Sequence, residues 1–135
     1  MIKPDGMSKG LIGTIIDRFL ISGFDLKAIR LVTPTKDLVE EHYQHIQGTQ
    51  FYEGVVSFLM GAYHPSKKVL ALVIEGENGI AQARKIAGAT NPEEAEYTTI
   101  RGAYGRITSK GIFENVIHVS SSQEDAQREI SLWFN

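Results

Sequence analysis

Of the four histidines in this chain, His118 has the setting best suited to chemistry: Asn115-Val-Ile-His118-Val-Ser120-Ser-Ser, with Glu129 eleven residues further on. The pattern predicts a short apolar strand ending at the histidine, then a serine-rich turn opening a helix. A histidine at that junction lies near the positive end of a helix, where an anion is favoured. Neutral imidazole is nucleophilic and titrates near working pH. Glu129, further along the helix, is placed to reach back and orient the ring. A strand-end histidine with a carboxylate can accept a phosphoryl group; the competing reading is a structural histidine.

The cations that would attend such chemistry are Lys3, Arg84 and Arg101, each on a different stretch of chain. Three cations from separate elements can converge on a polyphosphate, with the guanidinium groups clamping oxygens in pairs. Taken singly, each also reads as a solvated surface charge. The sequence contains no G-x-x-x-x-G-K-[ST], no G-x-G-x-x-G and none of the eukaryotic-type protein-kinase motifs, so phosphate would have to be handled another way. His42 and His45 stand three apart on a predicted helix but lack a third nearby metal ligand, and His42 is expected to be half-buried. His64, beside Pro65 and two lysines, reads as surface. Phe51 and Tyr52 read as core residues, with base stacking as the alternative.

Composition narrows the class. A chain of 135 residues, 42% hydrophobic and 22% charged, is expected to form one domain around a single core. A net charge of −2 provides no overall field for nucleic acid or anionic membrane, so an anionic ligand must be held by a local cation cluster. Without cysteine there is no disulfide, zinc-thiolate or thiol chemistry. No apolar run approaches the ~18 residues of a membrane span and no signal peptide is visible, which suggests a cytoplasmic protein.

The elements that must position these residues follow from periodicity. Met1 to Pro4 reads as the tail of a strand ended by a Pro4-Asp5-Gly6 turn. Leu11, Ile12, Ile15, Ile16, Phe19 and Leu20 fall at helical spacing up to Gly23. Leu26 to Val32 alternates as a strand with an irregularity at Ala28-Ile29. A helix is predicted from Pro34-Thr35 to about Gln47 and another from about Phe51 to Met60, followed by a polar loop from Gly61 to Lys68. Val69 to Ile74 is apolar enough for a strand covered on both faces, and Asn78 to Ala87 is helical up to Gly88. Residues 88–114 read as one long loop, Val116 to Val119 as the last strand, and Ser121 with Glu124 as a capping box for the final helix. The order suggests an antiparallel sheet with helices packed on it.

Taken together, Ile2-Lys-Pro-Asp-Gly6, Gly10-Leu-Ile-Gly13, Arg18-Phe19, Glu41-His-Tyr43, Phe51-Tyr52, Glu75-Gly76, Gly88-Ala-Thr90-Asn-Pro92, Thr99-Ile-Arg101-Gly102, Asn115-Val-Ile-His118 and Arg128-Glu-Ile130 resemble the nucleoside diphosphate kinase family, in its order and over essentially the whole chain. The resemblance implies a ferredoxin-like α/β sandwich, with a four-stranded antiparallel sheet covered by helices. It implies a ping-pong reaction in which a nucleoside triphosphate, typically ATP, phosphorylates His118 and a different nucleoside diphosphate then takes the phosphate. By motif, Glu129 orients His118 and Ser120 hydrogen-bonds to Glu129. Lys3, Tyr43, Arg84, Thr90 and Arg101 surround the phosphates. Asn115 and Lys3 meet the ribose, and Phe51, Val55 and Ile112 sandwich the base. Mg²⁺ is expected to arrive on the nucleotide rather than on protein ligands. A homo-oligomer, hexamer or tetramer built of dimers, is expected.

The chain departs from the family pattern in four places. Val119 and Ser121 replace a small residue and an aspartate. The stretches 61–68 and 105–114 are longer than usual, Tyr97-Thr98 stands where Pro-Gly is common, and both ends are short. The alternative is a catalytically impaired nucleotide-binding or regulatory domain of the same fold. An RNA-binding reading would need aromatic residues on the central strands, which Val69–Ile74 and Val116–Val119 lack.

Overall fold

The computed structural model describes residues 1–135. Its centre is an antiparallel ladder of β1 (Asp25–Val32) and β2 (Val69–Glu75), with the register shifting between Leu26 and Ala28, one residue before the irregularity expected from sequence. β2 alternates its side chains between two cores, as a pleated strand must. On one face Leu70 joins Ile2, Ile117 and residues of α2 (Ile12–Ile21) and α5 (Gly79–Ala87). On the other, Val69 and Ala71 pack with Val39, Tyr52, Val56, Leu59 and Trp133, which belong to α3 (Lys36–His42), α4 (Tyr52–Leu59) and α7 (Gln123–Phe134).

The first and last strands expected from sequence are reduced to bridges. Ile2 pairs antiparallel with both Leu70 and Ile117. Pro4, which has no N–H, sits in the first turn of α1 (Pro4–Ser8), so the chain leaves the ladder at once where a turn was expected. On the other side, Val116 lies at φ +74, a conformation that breaks a ladder. Gly6 is required inside α1, because a Cβ there would meet Ile2 and Val116 Cγ atoms at 2.9 Å.

The helix predicted to Gln47 ends at His42 and continues as a 3-10 turn over Gln44–Ile46. The stretch read as one long loop holds α6 (Ile100–Tyr104) and a small antiparallel hairpin, β3 (Arg106–Ile107) with β4 (Phe113–Glu114). Thr99 caps α6 by accepting from the Gly102 N–H at 3.1 Å. The final helix is capped by Ser122, one residue later than expected, its Oγ accepting from the Asp125 N–H at 3.0 Å. No helix is long and apolar enough to cross a membrane.

Candidate active site

His118 is held from both of its neighbours in the fold. Its backbone N–H donates to the Met1 carbonyl at 2.9 Å, and its Nε2 lies 2.8 Å from Glu129 Oε2 on α7. Ser120 Oγ donates to the same carboxylate oxygen at 2.8 Å. Ser122 starts α7 so that Glu129 falls on its second turn, on the side facing the histidine.

The electrostatics of the pair are consistent with an anion and a neutral ring. Burial works against the Glu129 charge, but the hydrogen bond and charge of His118 and the Ser120 hydroxyl overcome it and hold the carboxyl at about 2. Burial pushes His118 down despite the opposing pull of Glu129. A neutral ring that donates its Nε2 proton to Glu129 carries its lone pair on Nδ1, the more basic and nucleophilic of the two nitrogens in that tautomer.

His42 lies against His118, ring centroids 4.6 Å apart and nearly perpendicular. It is fully buried, not half-buried, because the Trp133 indole N–H donates to its Nδ1 at 3.1 Å and fills the core beside it. Burial, with the neighbouring His118, lowers its pKa to about 3. His42, His118 and Glu129 offer potential ligand atoms within 4.8 Å of one another. They suit a metal poorly. An indole N–H on Nδ1 leaves the proton of neutral His42 on Nε2, which has no lone pair to give, and Glu129 Oε2 already takes two hydrogen bonds.

The cations gather on the other side of residue 119. Arg84, Thr90 and Arg101 line a cavity of about 210 Å³ with Ala87, Gly88, Ala89 and Val119. Arg101 spans the site: its Nη1 donates to the Gly88 carbonyl and its Nη2 to the Ile117 carbonyl, both at 3.0 Å. Burial, then the charge of Arg84, lowers it to about 10, still charged at neutral pH. Lys3 Nζ donates to Asn115 Oδ1 at 2.7 Å and stands 4.5 Å from the centre of the Phe58 ring. Burial lowers it to about 8, with Asp5 opposing and Arg101 assisting. Asn115 Nδ2 donates to the Thr90 carbonyl at 2.8 Å, so one amide ties Lys3 to the loop after α5. Tyr43 packs edge-on to His42 at 4.7 Å, and burial raises its phenol.

A nucleoside diphosphate kinase family model matches residues 1–135. The chain belongs to that family. The kinase is 46% identical over 135 residues to a nucleoside diphosphate kinase of Crocosphaera subtropica, covering 100% of this chain and 85% of the relative. It is 40% identical to that of Methanocaldococcus jannaschii over 98% of this chain and 89% of the other. Among solved structures it superposes on the Aquifex aeolicus nucleoside diphosphate kinase with a TM-score of 0.87 at 38% identity, covering 99% and 91% of the two chains. It superposes on the Halobacterium salinarum enzyme in complex with CDP with a TM-score of 0.88 at 34% identity, covering 99% and 84%. The kinase is therefore a phosphotransferase that moves the γ-phosphate of a nucleoside triphosphate to a nucleoside diphosphate.

The residues expected around the base are less closely gathered than those around the phosphates. Phe51 is 65% exposed at the start of α4, Val55 lies one turn further on, and Ile112 sits in the hairpin; none of the three lines either cavity beside residue 119. Several interactions had no signal in the sequence. Asp5 is fully buried and its Oδ2 accepts from the Val116 N–H at 2.9 Å, which supports the left-handed turn before His118. His64 is not plain surface: its Nε2 lies 2.9 Å from Glu114 Oε2, while Arg106 and Lys9 reach the other carboxylate oxygen at 2.8 and 3.4 Å. Glu114 thus pins the hairpin to the loop after α4, so the two long stretches of the chain hold each other.

Proposed function

We propose that the kinase works through a phosphohistidine on His118 Nδ1, in two half-reactions at one site. In the first, the Nδ1 lone pair attacks the γ-phosphorus of a nucleoside triphosphate. The bond to the bridging oxygen breaks, and the diphosphate leaves with the electron pair. In the second, an oxygen of a different diphosphate attacks the same phosphorus and the electron pair returns to Nδ1. The observation that carries this reading is the Nε2 contact to Glu129 at 2.8 Å, because it fixes the tautomer and balances the positive charge that phosphorylation puts on the ring.

Arg84, Arg101, Thr90, Lys3 and Tyr43 would neutralise and position the phosphates, which is most of what phosphoryl transfer asks of a protein. Asn115 and Lys3 would meet the ribose, and Phe51, Val55 and Ile112 the base, closing on it when nucleotide binds. Mg²⁺ would be held by phosphate oxygens, the hard ligands it prefers, and would help neutralise their charge. The Ile2 bridges to Leu70 and Ile117 support a ferredoxin-like, four-stranded antiparallel order in one catalytic domain over residues 1–135. β1 is an edge strand exposing Leu26, Ile29 and Leu31, which supports a homo-oligomer, hexamer or tetramer, built from dimers. The lack of cysteine fits a cytoplasmic location.

The test is to mix the purified chain with γ-labelled ATP and no acceptor. Acid-labile, base-stable label on the chain, discharged by GDP or dTDP and missing from His118→Asn, is the expected result. ATP binding without label on the native chain refutes the reading.

A further inference from the structure

Lys3 has two grips on the fold, and both lead to Glu114. Its Nζ donates to Asn115 Oδ1 at 2.7 Å, and Asn115 follows Glu114 directly in the chain. Its ammonium also stands 4.5 Å from the centre of the buried Phe58 ring, on the last turn of α4. His64, in the loop after α4, sets its own ring at 68° to Phe58 with centroids 5.0 Å apart, and reaches Glu114 Oε2 at 2.9 Å. A carboxyl held at about 2 has no proton to give near neutral pH, so the His64 Nε2–H is the donor. The His64 and Glu114 side chains are 8% and 6% exposed, whereas Lys9 and Arg106, the other partners of Glu114, are 34% and 67% exposed. The histidine contact is the one sheltered from solvent.

We propose that the two long stretches form a clamp, closed by His64 on Glu114, that holds Phe58 beneath the Lys3 ammonium and Asn115 beside it; Phe58, His64 and Glu114 are positioning residues for the nucleotide. The inference rests on Lys3 meeting the nucleotide, as proposed above. A lysine side chain is long and rich in rotamers, so an ammonium fixed in advance loses less freedom when an anion arrives. The ring face attracts the cation without occupying any of its three N–H donors. One donor is taken by Asn115, which leaves two for the oxygens of a ligand.

The ring and the clamp act on the Lys3 charge with opposite signs, which makes them separable. Burial lowers the ammonium to about 8, with the Asp5 charge opposing and that of Arg101 assisting. Asp5 and Arg101 stay in place in every variant below. Weakening the ring face at unchanged burial lowers the ammonium further, whereas opening the clamp admits water and raises it towards its ordinary 10.5.

The experiment follows Lys3 titration in nucleotide-free protein by the ¹³C shift of its Cε, assigned with Lys3→Arg, and measures ADP affinity by calorimetry. A trifluorinated phenylalanine in place of Phe58 keeps the shape of the ring and drains its face of negative charge. The Lys3 midpoint should then fall by roughly half a pH unit, which loss of packing alone would not cause. Glu114→Gln and His64→Leu each open the clamp, the second with Arg106 and Lys9 still on Glu114. Either should raise the midpoint by about one unit and weaken ADP roughly fivefold, the scale of one long side chain left unordered. If Glu114→Gln does not fold, His64→Leu carries the comparison. A midpoint within about 0.2 units of native, in the fluorinated protein or in the folded clamp variants, overturns the inference. Shifted midpoints with ADP affinity unchanged, in Lys3→Met as well, refute instead the contact of Lys3 with the nucleotide, so the two failures are distinct.

Discussion

Replacing Glu129 by glutamine keeps the size of the side chain and removes its charge, which isolates what the carboxylate does for His118. In the structure Oε2 accepts from His118 Nε2 and Ser120 Oγ, both at 2.8 Å. As the bond from Nδ1 to phosphorus forms, the ring becomes cationic, with its centre roughly 4 Å from the carboxylate. Full unit charges at that separation interact by about 4 kcal/mol at an effective dielectric constant near 20. A ring about half charged in the transition state gains about 2 kcal/mol, so Glu129→Gln should slow phosphorylation by ~30-fold. Ser120→Ala leaves the charge in place and removes one donor to it, worth about 1 kcal/mol and a fewfold slowing.

Rapid-quench single turnovers with γ-labelled ATP measure both rates directly. The two groups act as a unit, so the double variant should be little slower than Glu129→Gln alone. The pH profile gives an independent check. Glu129 raises the proton affinity of His118, so its removal should move the acid limb of the rate profile to lower pH. A Glu129→Gln rate within threefold of native, or an acid limb that does not move, would refute the charge-balancing role.

Other perturbations have equally definite outcomes. Glu129 and Glu114 are both held at about 2 in the fold against an ordinary 4.5, so the stability they contribute is fully present above pH 4.5 and is lost as pH falls towards 2. Urea midpoints between about pH 6 and pH 3 should fall steeply, with a shallower fall in Glu114→Gln. Trp133→Phe strands His42 Nδ1 without its donor in a fully buried site and should cost about 1–3 kcal/mol by urea unfolding. Gly88→Ala places a Cβ against the Thr99 side chain at φ +89, so it should lower Tm by several degrees and raise KM for the nucleoside triphosphate through displacement of the Gly88 carbonyl that Arg101 grips. Unchanged Tm and KM would show that the loop after α5 adapts freely.

The sequence was most legible where one local pattern decided the outcome. The helical spacing of Ile15 and Phe19, the apolar run of β2 and the stop at Gly88 all stand as read. Glu129 reaching back to His118 was also legible, because a strand-end histidine and a helix carboxylate eleven residues on have few other ways to lie. What was illegible depended on partners far away in the chain. Pro4-Asp5-Gly6 carries a turn composition, yet it forms a helix because Asp5 is claimed by Val116 and Gly6 by the space between Ile2 and Val116. His42 looks like an ordinary helix residue until Trp133, 91 positions later, is set beside it. The hairpin within 105–114 has a single pair of residues on each side, too short for alternation to register.

Lys3 gives the catalytic cycle a proton inventory. With its ammonium lowered to about 8, Lys3 is incompletely charged in mildly alkaline solution when no nucleotide is present. A polyphosphate bound beside it, as proposed above, would favour the ammonium, so nucleotide binding would draw in a fraction of a proton and release would return it. The heat of binding near pH 8 must then vary with the ionisation enthalpy of the buffer, while near pH 6, where Lys3 is already protonated, this residue adds nothing to that variation. Alkaline solution would accordingly weaken nucleotide affinity through the charge of Lys3 alone.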